Sequence, residues 1–298
     1  MVDLHTHSNI SDGDLPPALL VKEAARQGLC ALALTDHDSI KGLESAKAAA
    51  KEENIHFIPG IEVNINWKSM SDAPGLGPGG EFHLLGLGIN SPSQGFISSV
   101  EKLAHHREAR NRKILQKMFE LNMTTRTGMD TAWEELKEIA GGESAGFSLG
   151  RPHFATLLVK RKIVRNINIA FARYLGVGKP LYVQKEGLEF DEAVFLIRES
   201  GGIPVLAHPF SLYIAWGRLP DLIKKLKDMG LMGLEAWHPT TKTSSCRRLE
   251  ALAQSLGLYV TEGSDFHGSL QPNRVLGHSG KGRQIASAIL EAIPELAP

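Results

Sequence analysis

The chain has 298 residues, enough for one large α/β domain carrying an insertion or for two small domains. Its hydrophobic fraction of 42% and charged fraction of 22% are those of an ordinary soluble globular protein. With 33 Lys+Arg against 33 Asp+Glu the net charge is zero, which excludes whole-molecule electrostatics as a basis for binding duplex nucleic acid or a membrane surface, though a local basic patch is compatible with it.

In chain order, Val2 to His7 reads as a first strand, entered directly from Met1 without a charged and apolar leader pattern. Pro16 to Gly28 predicts a helix, with Pro at its start, amphipathic spacing and a Gly stop. Leu29 to Thr35 predicts a buried strand in which Cys30 is a small core residue. An Ala-rich helix over Lys41 to Asn54 and a strand over His56 to Ile65 follow. Ser69 to Gly80 is a Gly/Pro-rich loop whose composition suggests mobility, and Phe82 to Ile89 is a fourth strand. This alternation predicts a parallel sheet covered by helices. Residues 94–178 break it: they are rich in Glu, Lys, Arg and Ala with helical periodicity, and read as a helical insertion. The rhythm resumes with helices at Phe190–Ser200, Leu219–Met229 and Ser245–Leu256, and strands at Ile203–Ala207, Gly233–Trp237 and Leu258–Thr261. Gln284 to Leu296 is the last expected helix. About seven parallel strands close most naturally into a barrel. Two distant cysteines, Cys30 and Cys246, support neither a disulfide framework nor an all-thiolate zinc site, and a reducing cytoplasm is the expected setting. There is no apolar run near 18 residues.

The chemistry is carried by the strand ends, where most of the 12 histidines sit. The first strand ends in His5 and His7, followed by Asp12, and the second in Asp36-His37-Asp38. Glu62 lies on the third and His83 on the fourth; His208 and the pair Asp265 and His267 follow two later strands. In a parallel barrel the C-terminal strand ends meet on one face, so six segments deliver imidazoles or carboxylates to one mouth. His5 and His7, two apart on a strand, point the same way and can share a cation. One catalytic ion takes about three protein ligands, so nine candidates imply a cluster of two or three ions, with Glu62 and Asp265 as two-oxygen bridges. Each residue alone has a plainer reading: a satisfied core histidine, Asp12 as a helix cap, Glu62 in a buried ion pair, Asp38 as an N-cap near Ser39. Asp36 is read as orienting His37 from behind the ligands. A nitrogen and oxygen set suits Mn, Fe or Zn and disfavours copper. Such a cluster makes a metal-bound hydroxide from water and fits phosphate-ester hydrolysis, with the general acid unassigned. The insertion offers cations for the phosphate: Arg107, then Arg151 with His153 in Gly150-Arg151-Pro152-His153, then Lys179. Arg110 and Arg112 read as a solvated helix face.

The motifs DLHTHS with SDG at Asp12, TDHD at Asp36 to Asp38, the Glu62 strand, AHP at His208 and GSDFH at Gly263 to His267 resemble, in order and over nearly the whole chain, the polymerase and histidinol phosphatase (PHP) family. The chain is similar to its stand-alone phosphoesterases with a helical insertion, which include nucleoside 3′,5′-bisphosphate phosphatases and 5′-to-3′ exonucleases on short RNA or DNA. The resemblance implies an α/β fold: a distorted seven-stranded (β/α)7 TIM-like barrel from residues 1–93 and 179–298, with the helical insertion 94–178 covering the active site. It implies a trinuclear site on the nine residues named above, and Arg107 and Arg151 as phosphate contacts; among Mn, Fe and Zn, manganese is the expected metal. The length of the Ser69–Gly80 loop and the tail Trp237-His238-Pro239 depart from the expected pattern and bear on substrate choice. The expected reaction is removal of the 3′-phosphate of a nucleoside 3′,5′-bisphosphate; the alternative is exonuclease action on short 5′-phosphorylated oligonucleotides. Neither involves duplex nucleic acid or a membrane. Amidohydrolases share His-x-His but add a bridging Lys on the fourth strand, absent from Phe82–Ile89, and a non-enzymatic metal-binding module predicts missing ligands, whereas none is missing.

Overall fold

The structure, a computed structural model, describes residues 1–66, 80–123, 128–140 and 149–297. Seven strands form one sheet in chain order: β1 (Val2–Asp3), β2 (Ala31–Leu34), β3 (His56–Asn64), β4 (His83–Leu87), β5 (Ile203–Leu206), β6 (Gly233–Trp237) and β7 (Tyr259–Glu262). A parallel bridge between Thr6 and Phe266, with His7 N donating to Phe266 O at 3.0 Å, brings the two edges together, so the sheet is a nearly closed barrel. All four residues of β2 are buried, as a strand covered on both faces requires. Helices α1 (Pro17–Arg26) and α2 (Leu43–Glu52) pack on one flank, where Ala46, Ala49 and Ala50 lie against Leu20, Val21 and Ala24.

The sheet is not all parallel. β4 runs antiparallel to both β3 and β5, pairing Asn64 with His83 and Leu84 with Leu206. A parallel return needs a crossover, usually a helix, and the Gly/Pro-rich sequence between these strands has no helical period. The reversal keeps the site intact: His83 begins its strand, and the start of an antiparallel strand lies beside the ends of its neighbours. Most of the Ser69–Gly80 loop lies outside the described residues.

The insertion follows as α3 (Gln94–Glu120), α4 (Gly128–Ile139), α5 (Arg151–Lys160) and α6 (Ile167–Ala170), which runs into a π-helical turn at Phe171–Leu175. Its apolar residues, among them Ile114, Met118, Leu136, Phe154 and Leu158, form a core of their own that extends to Leu181. The first half of α3 does not belong to that core, since Phe96, Val100 and Leu103 pack with the barrel. α3 is therefore a strut fixed at both ends. Beyond it, α7 (Phe190–Glu199), α8 (Leu219–Asp228) and α9 (Thr243–Leu256) cover the remaining strands.

Two expectations are corrected. Cys30 is exposed, because β2 starts one residue later and Cys30 lies at the rim beside Met1. Gln284 to Leu296 is not one helix. His278–Ser279 (β8) and Arg283–Gln284 (β9) form a hairpin, α10 spans only Ala288–Glu291, and Pro294–Leu296 is a 3-10 turn. The backbone of Ile285 is committed to pairing with Gly277 and Val2, and Pro294 has no N–H to continue a helix. Ile285, Ile293 and Leu296 close the barrel floor against Val2, Leu4 and Val205. Among the described residues no helix is long and apolar enough to cross a membrane.

Candidate metal centre

The nine residues read from the strand ends converge at one mouth of the barrel, all but His208 buried. Glu62 is at the middle. Its Oε1 lies 2.9 Å from His83 Nδ1 and 2.8 Å from His208 Nε2. Its Oε2 lies 3.1–3.3 Å from His37 Nδ1, His7 Nε2 and His5 Nε2. Asp265 Oδ1 stands 3.2 Å from His7 Nε2, 3.4 Å from His267 Nδ1 and 3.5 Å from His5 Nε2. Asp12 Oδ1 faces His267 Nε2 at 3.3 Å and His37 Nε2 at 3.8 Å. His5 and His7 bring their Nε2 atoms to 3.1 Å, as extended backbone through Thr6 requires.

These contacts form four overlapping sets, each with ligand atoms within 4.8 Å: His7, Asp12, His37 and His267; His5, Glu62 and His208; His5, His7 and Asp265; His37, Glu62 and His83. Several of the atoms are buried without a hydrogen-bond partner among the described residues: Asp12 Oδ1, Glu62 Oε2, His37 Nδ1 and both nitrogens of His83. Orphaned buried polar atoms are costly unless something else satisfies them. Divalent cations would, so the residues present fit a metal cluster. The electrostatics agree. Burial pushes the Glu62 carboxyl up, but His37, His83 and His5 outweigh it and hold it well below its usual value. Asp12 is likewise held low against burial by His37 and His267. Burial dominates at His83, whose pKa falls to about 4, leaving a neutral imidazole of the kind a metal binds.

A layer of supports stands behind the centre. Glu235, on β6, accepts from His5 Nδ1 at 2.9 Å and from the His208 backbone N–H at 2.7 Å, so one carboxylate aligns two of the histidine positions. Such carboxylate–histidine contacts set the tautomer and raise ligand basicity. Asp36 accepts from Ser8 N, Ser8 Oγ and Ser11 Oγ at 2.6–2.8 Å, and Ser11 Oγ lies 3.3 Å from His7 Nδ1. Its partners hold the turn after β1; no direct bond to His37 is among them. Asp38 is not a helix cap: α2 starts later, at Leu43, while Asp38 Oδ1 accepts from Asn64 N at 2.9 Å and Oδ2 pairs with Arg107. His238 Nε2 and Arg274 Nη1 both meet Asp265 Oδ2, the first at 3.0 Å.

Across a cavity of about 1210 Å³ stands a cationic wall. Arg151 pairs with Glu81 and lies 5.8 Å from the Phe171 ring centroid and 5.9 Å from that of Tyr182. Arg107 and Lys185 line the same cavity. Arg110, expected on a solvated face, is instead 4% exposed, because the same side of α3 that carries Arg107 turns inward. Arg112 is exposed, pairs with Glu108 at 2.9 Å and lies 4.5 Å from the Trp133 ring centroid. His153 is buried; its Nδ1 accepts from Gly150 N at 2.9 Å, closing the start of α5. Lys179 is exposed and is not among the described residues lining the cavity.

The PHP domain model matches residues 3–150. A 5′-3′ exoribonuclease of Haemophilus influenzae is 33% identical over 265 residues, 89% of this chain and 89% of its own length. The chain belongs to the PHP family. A 3′,5′-nucleoside bisphosphate phosphatase of Chromobacterium violaceum is 30% identical over 278 residues, covering 93% of this PHP chain and 91% of that protein. A solved Chromobacterium violaceum structure, described as an amidohydrolase with bound sulfate and no metal, superposes with a TM-score of 0.79 at 29% identity, covering 99% of this chain and 96% of its own.

The strand-end reading of this PHP chain passed over Glu235, although Glu235 obeys the same rule as Glu62: a carboxylate on a barrel strand, facing in. His238 follows that strand as His208 follows β5. Lys185 and Arg274 carry no comparable signal, because they lie in loops whose course only the packing decides.

Proposed function

We propose that this PHP chain is a manganese-dependent phosphatase that removes the 3′-phosphate of a nucleoside 3′,5′-bisphosphate. The observation that carries the reading is the opposition, within one cavity, of a nine-residue nitrogen and oxygen centre, seven of whose members line that cavity, and a wall of cationic side chains. Metal ions held at such a centre lower the pKa of a water and neutralise the charge of a phosphoryl group. The ligand set would be His5, His7, Asp12, His37, Glu62, His83, His208, Asp265 and His267, with Glu62 and Asp265 offering two oxygens each. Thiolates are absent from it, which suits manganese. Glu235 holds His5 and His208 in register. The Arg151 fork matches two phosphate oxygens at once, and Glu81 keeps that fork aligned at the cavity wall until an anion competes for it. Arg107, anchored by Asp38, adds a second guanidinium. The free thiols Cys30 and Cys246 suit a reducing cytoplasm.

The 30% identical bisphosphate phosphatase supports the choice of substrate. Exonuclease action on short 5′-phosphorylated oligonucleotides is the second reading. The 33% identical exoribonuclease favours it, as does a cavity of about 1210 Å³, larger than one nucleotide needs. Amide hydrolysis is disfavoured because β4 reads His-Leu-Leu-Gly-Leu, with no lysine to bridge two ions.

The test is a side-by-side assay of manganese-loaded protein on adenosine 3′,5′-bisphosphate and on a 5′-phosphorylated RNA trimer, before and after chelation. Release of inorganic phosphate from the bisphosphate, lost on chelation and restored by manganese, is the expected result. Mononucleotide release from the trimer with no phosphate release from the bisphosphate would replace the first reading with the second.

A further inference from the structure

The turn after β5 connects the metal centre to the outer lip of the cavity. It begins at His208, one of the nine residues of the centre. Ser211 Oγ donates to Glu81 O at 2.9 Å and Glu81 N donates to Ser211 O at 2.9 Å, so the turn is tied to the residue whose carboxylate pairs with Arg151. It ends at Tyr213, whose backbone N–H donates to Phe210 O at 3.1 Å. Leu212 is buried and Ile214 packs against the barrel core, yet Tyr213 between them is 77% exposed and lines the cavity. Its backbone is left-handed, with φ +53° and ψ +32°, a conformation that a bulky side chain rarely adopts. Strain of that kind persists only where the surrounding structure enforces it, and it gathers at functional sites. The exposed ring contributes little burial to the fold that holds it there. Among the described residues no ring or cation stacks on Tyr213, and no hydrogen bond holds its hydroxyl. The rings of Phe171 and Phe210, which line the same cavity, are already engaged: Phe171 faces Arg151, and Phe210 stacks on Trp216 with centroids 6.2 Å apart. Tyr213 also lies within electrostatic range of Arg151. The turn after the neighbouring strand β6 brings Pro239, Thr240 and Thr241 to the same cavity, and neither turn carries a carboxylate there. An open aromatic face on a lip without acidic groups suits a flat, uncharged ring.

We propose that Tyr213 is the stacking platform for the nucleobase of the substrate and sets the preference for a nucleotide over a base-free phosphate ester. The inference rests on the nucleotide substrate class, which both readings of the proposed function share. Stacking is tolerant of base identity, because every base has a π-face, so Tyr213 selects for the presence of a base and not for one base among four. The strained turn accounts for the position: the same short segment that presents His208 to the centre holds the ring outward at the lip, so base and phosphate are located by one rigid piece of backbone.

Two readouts test this on the wild type, Tyr213→Gly and Tyr213→Phe. Glycine adopts the left-handed backbone without strain, so it removes the ring and leaves the turn its conformation. In manganese-loaded protein, kcat/KM is measured for adenosine 3′,5′-bisphosphate and for 1-deoxyribofuranose 3,5-bisphosphate, which carries the same two phosphates and no base. Loss of one base–aromatic stack predicts that the ratio of the two falls about tenfold in Tyr213→Gly, mostly through KM, and stays within about threefold of the wild type in Tyr213→Phe. An unchanged ratio in Tyr213→Gly, or an equal fall in Tyr213→Phe, would overturn the proposal. The second readout is calorimetric binding of adenosine 5′-monophosphate and of ribose 5-phosphate to protein stripped of metal. The wild type binds the nucleotide at least about tenfold more tightly than the sugar phosphate, and Tyr213→Gly loses that preference. If the wild type turns over neither bisphosphate yet shows this Tyr213-dependent preference, the phosphatase reading fails and the platform stands. If the wild type binds the two ligands equally, the platform fails. Thermal unfolding separates a structural role: relief of the left-handed strain leaves the Tm of Tyr213→Gly unchanged or raises it, whereas a fall would assign the ring to the support of the turn and overturn the proposal.

Discussion

The two sides of the cavity are charged in opposite ways. The centre places three ionised carboxylates among six imidazoles, of which His37 and His83 are held towards the neutral form, and it is built from the ends of barrel strands. The wall places guanidinium and ammonium groups on α3, on the start of α5 and on the loop before α7, and leaves part of its charge unanswered. A centre of that kind is made for cations and a wall of this kind for anions. In the proposed function, a phosphate ester lies between them and meets both.

The sharpest break falls at the centre. Glu62→Gln removes the carboxylate that five histidines share. Disturbing a residue behind a metal ligand costs about 10- to 100-fold, so the loss here is expected to exceed about 1000-fold in kcat, with metal content falling in parallel. Retention of full metal content and activity would remove Glu62 from the ligand set. On the wall, Arg151→Lys keeps the charge but loses the planar fork, and about a 100-fold loss in kcat/KM is expected. A fully active lysine variant would mean that Arg151 acts as a point charge or not at all.

Glu235→Gln tests the layer behind the centre. A loss of about 10- to 100-fold in manganese affinity is expected, measured by titrating metal back into stripped protein, with the fold preserved by circular dichroism. Unchanged affinity would make Glu235 a passive buried carboxylate. The smallest effect is a pH dependence specific to the wall. Lys185 has a folded-state pKa below its ordinary 10.5, so between that lowered value and 10.5 the unfolded chain binds the extra proton. Stability attributable to Lys185 is therefore lowest below that window and is regained as pH rises towards 10.5. Relative to Lys185→Met, the wild type should gain about 2–4 °C in Tm between pH 7 and pH 10. Parallel Tm curves for the two proteins would show that the ammonium is not strained.

The legibility of the two sides differs for the same reason. His5, His7, His37, Glu62, His208, Asp265 and His267 sit on or directly after apolar runs, and a barrel collects such positions whatever the details of its helices. His83 was legible as a strand residue, but the direction of its strand was not. His-Leu-Leu-Gly-Leu reads as a buried run either way, and only its pairing with Asn64 and Leu206 shows that it runs backwards. Arg107 and Arg110 show the limit on the wall. A helix with both charges and apolar residues around it does not reveal which charged face turns inward, and Arg110 looked solvated until the docking of α3 buried it. Lys185 and Arg274 had no pattern at all, since a loop carries no period.

The residue order by itself determined the alternation of strands and helices, the helical stretch between β4 and β5, and the placement of nine His, Asp and Glu residues at or near strand ends, because periodicity and strand-end placement are local properties. Tertiary structure decided the antiparallel β4, the hairpin at the C-terminus, the contact of Glu235 with His5 and His208, and the opposition of wall and centre. These depend on which distant surfaces bury one another, a balance of packing and desolvation summed over the whole molecule and written in no single segment.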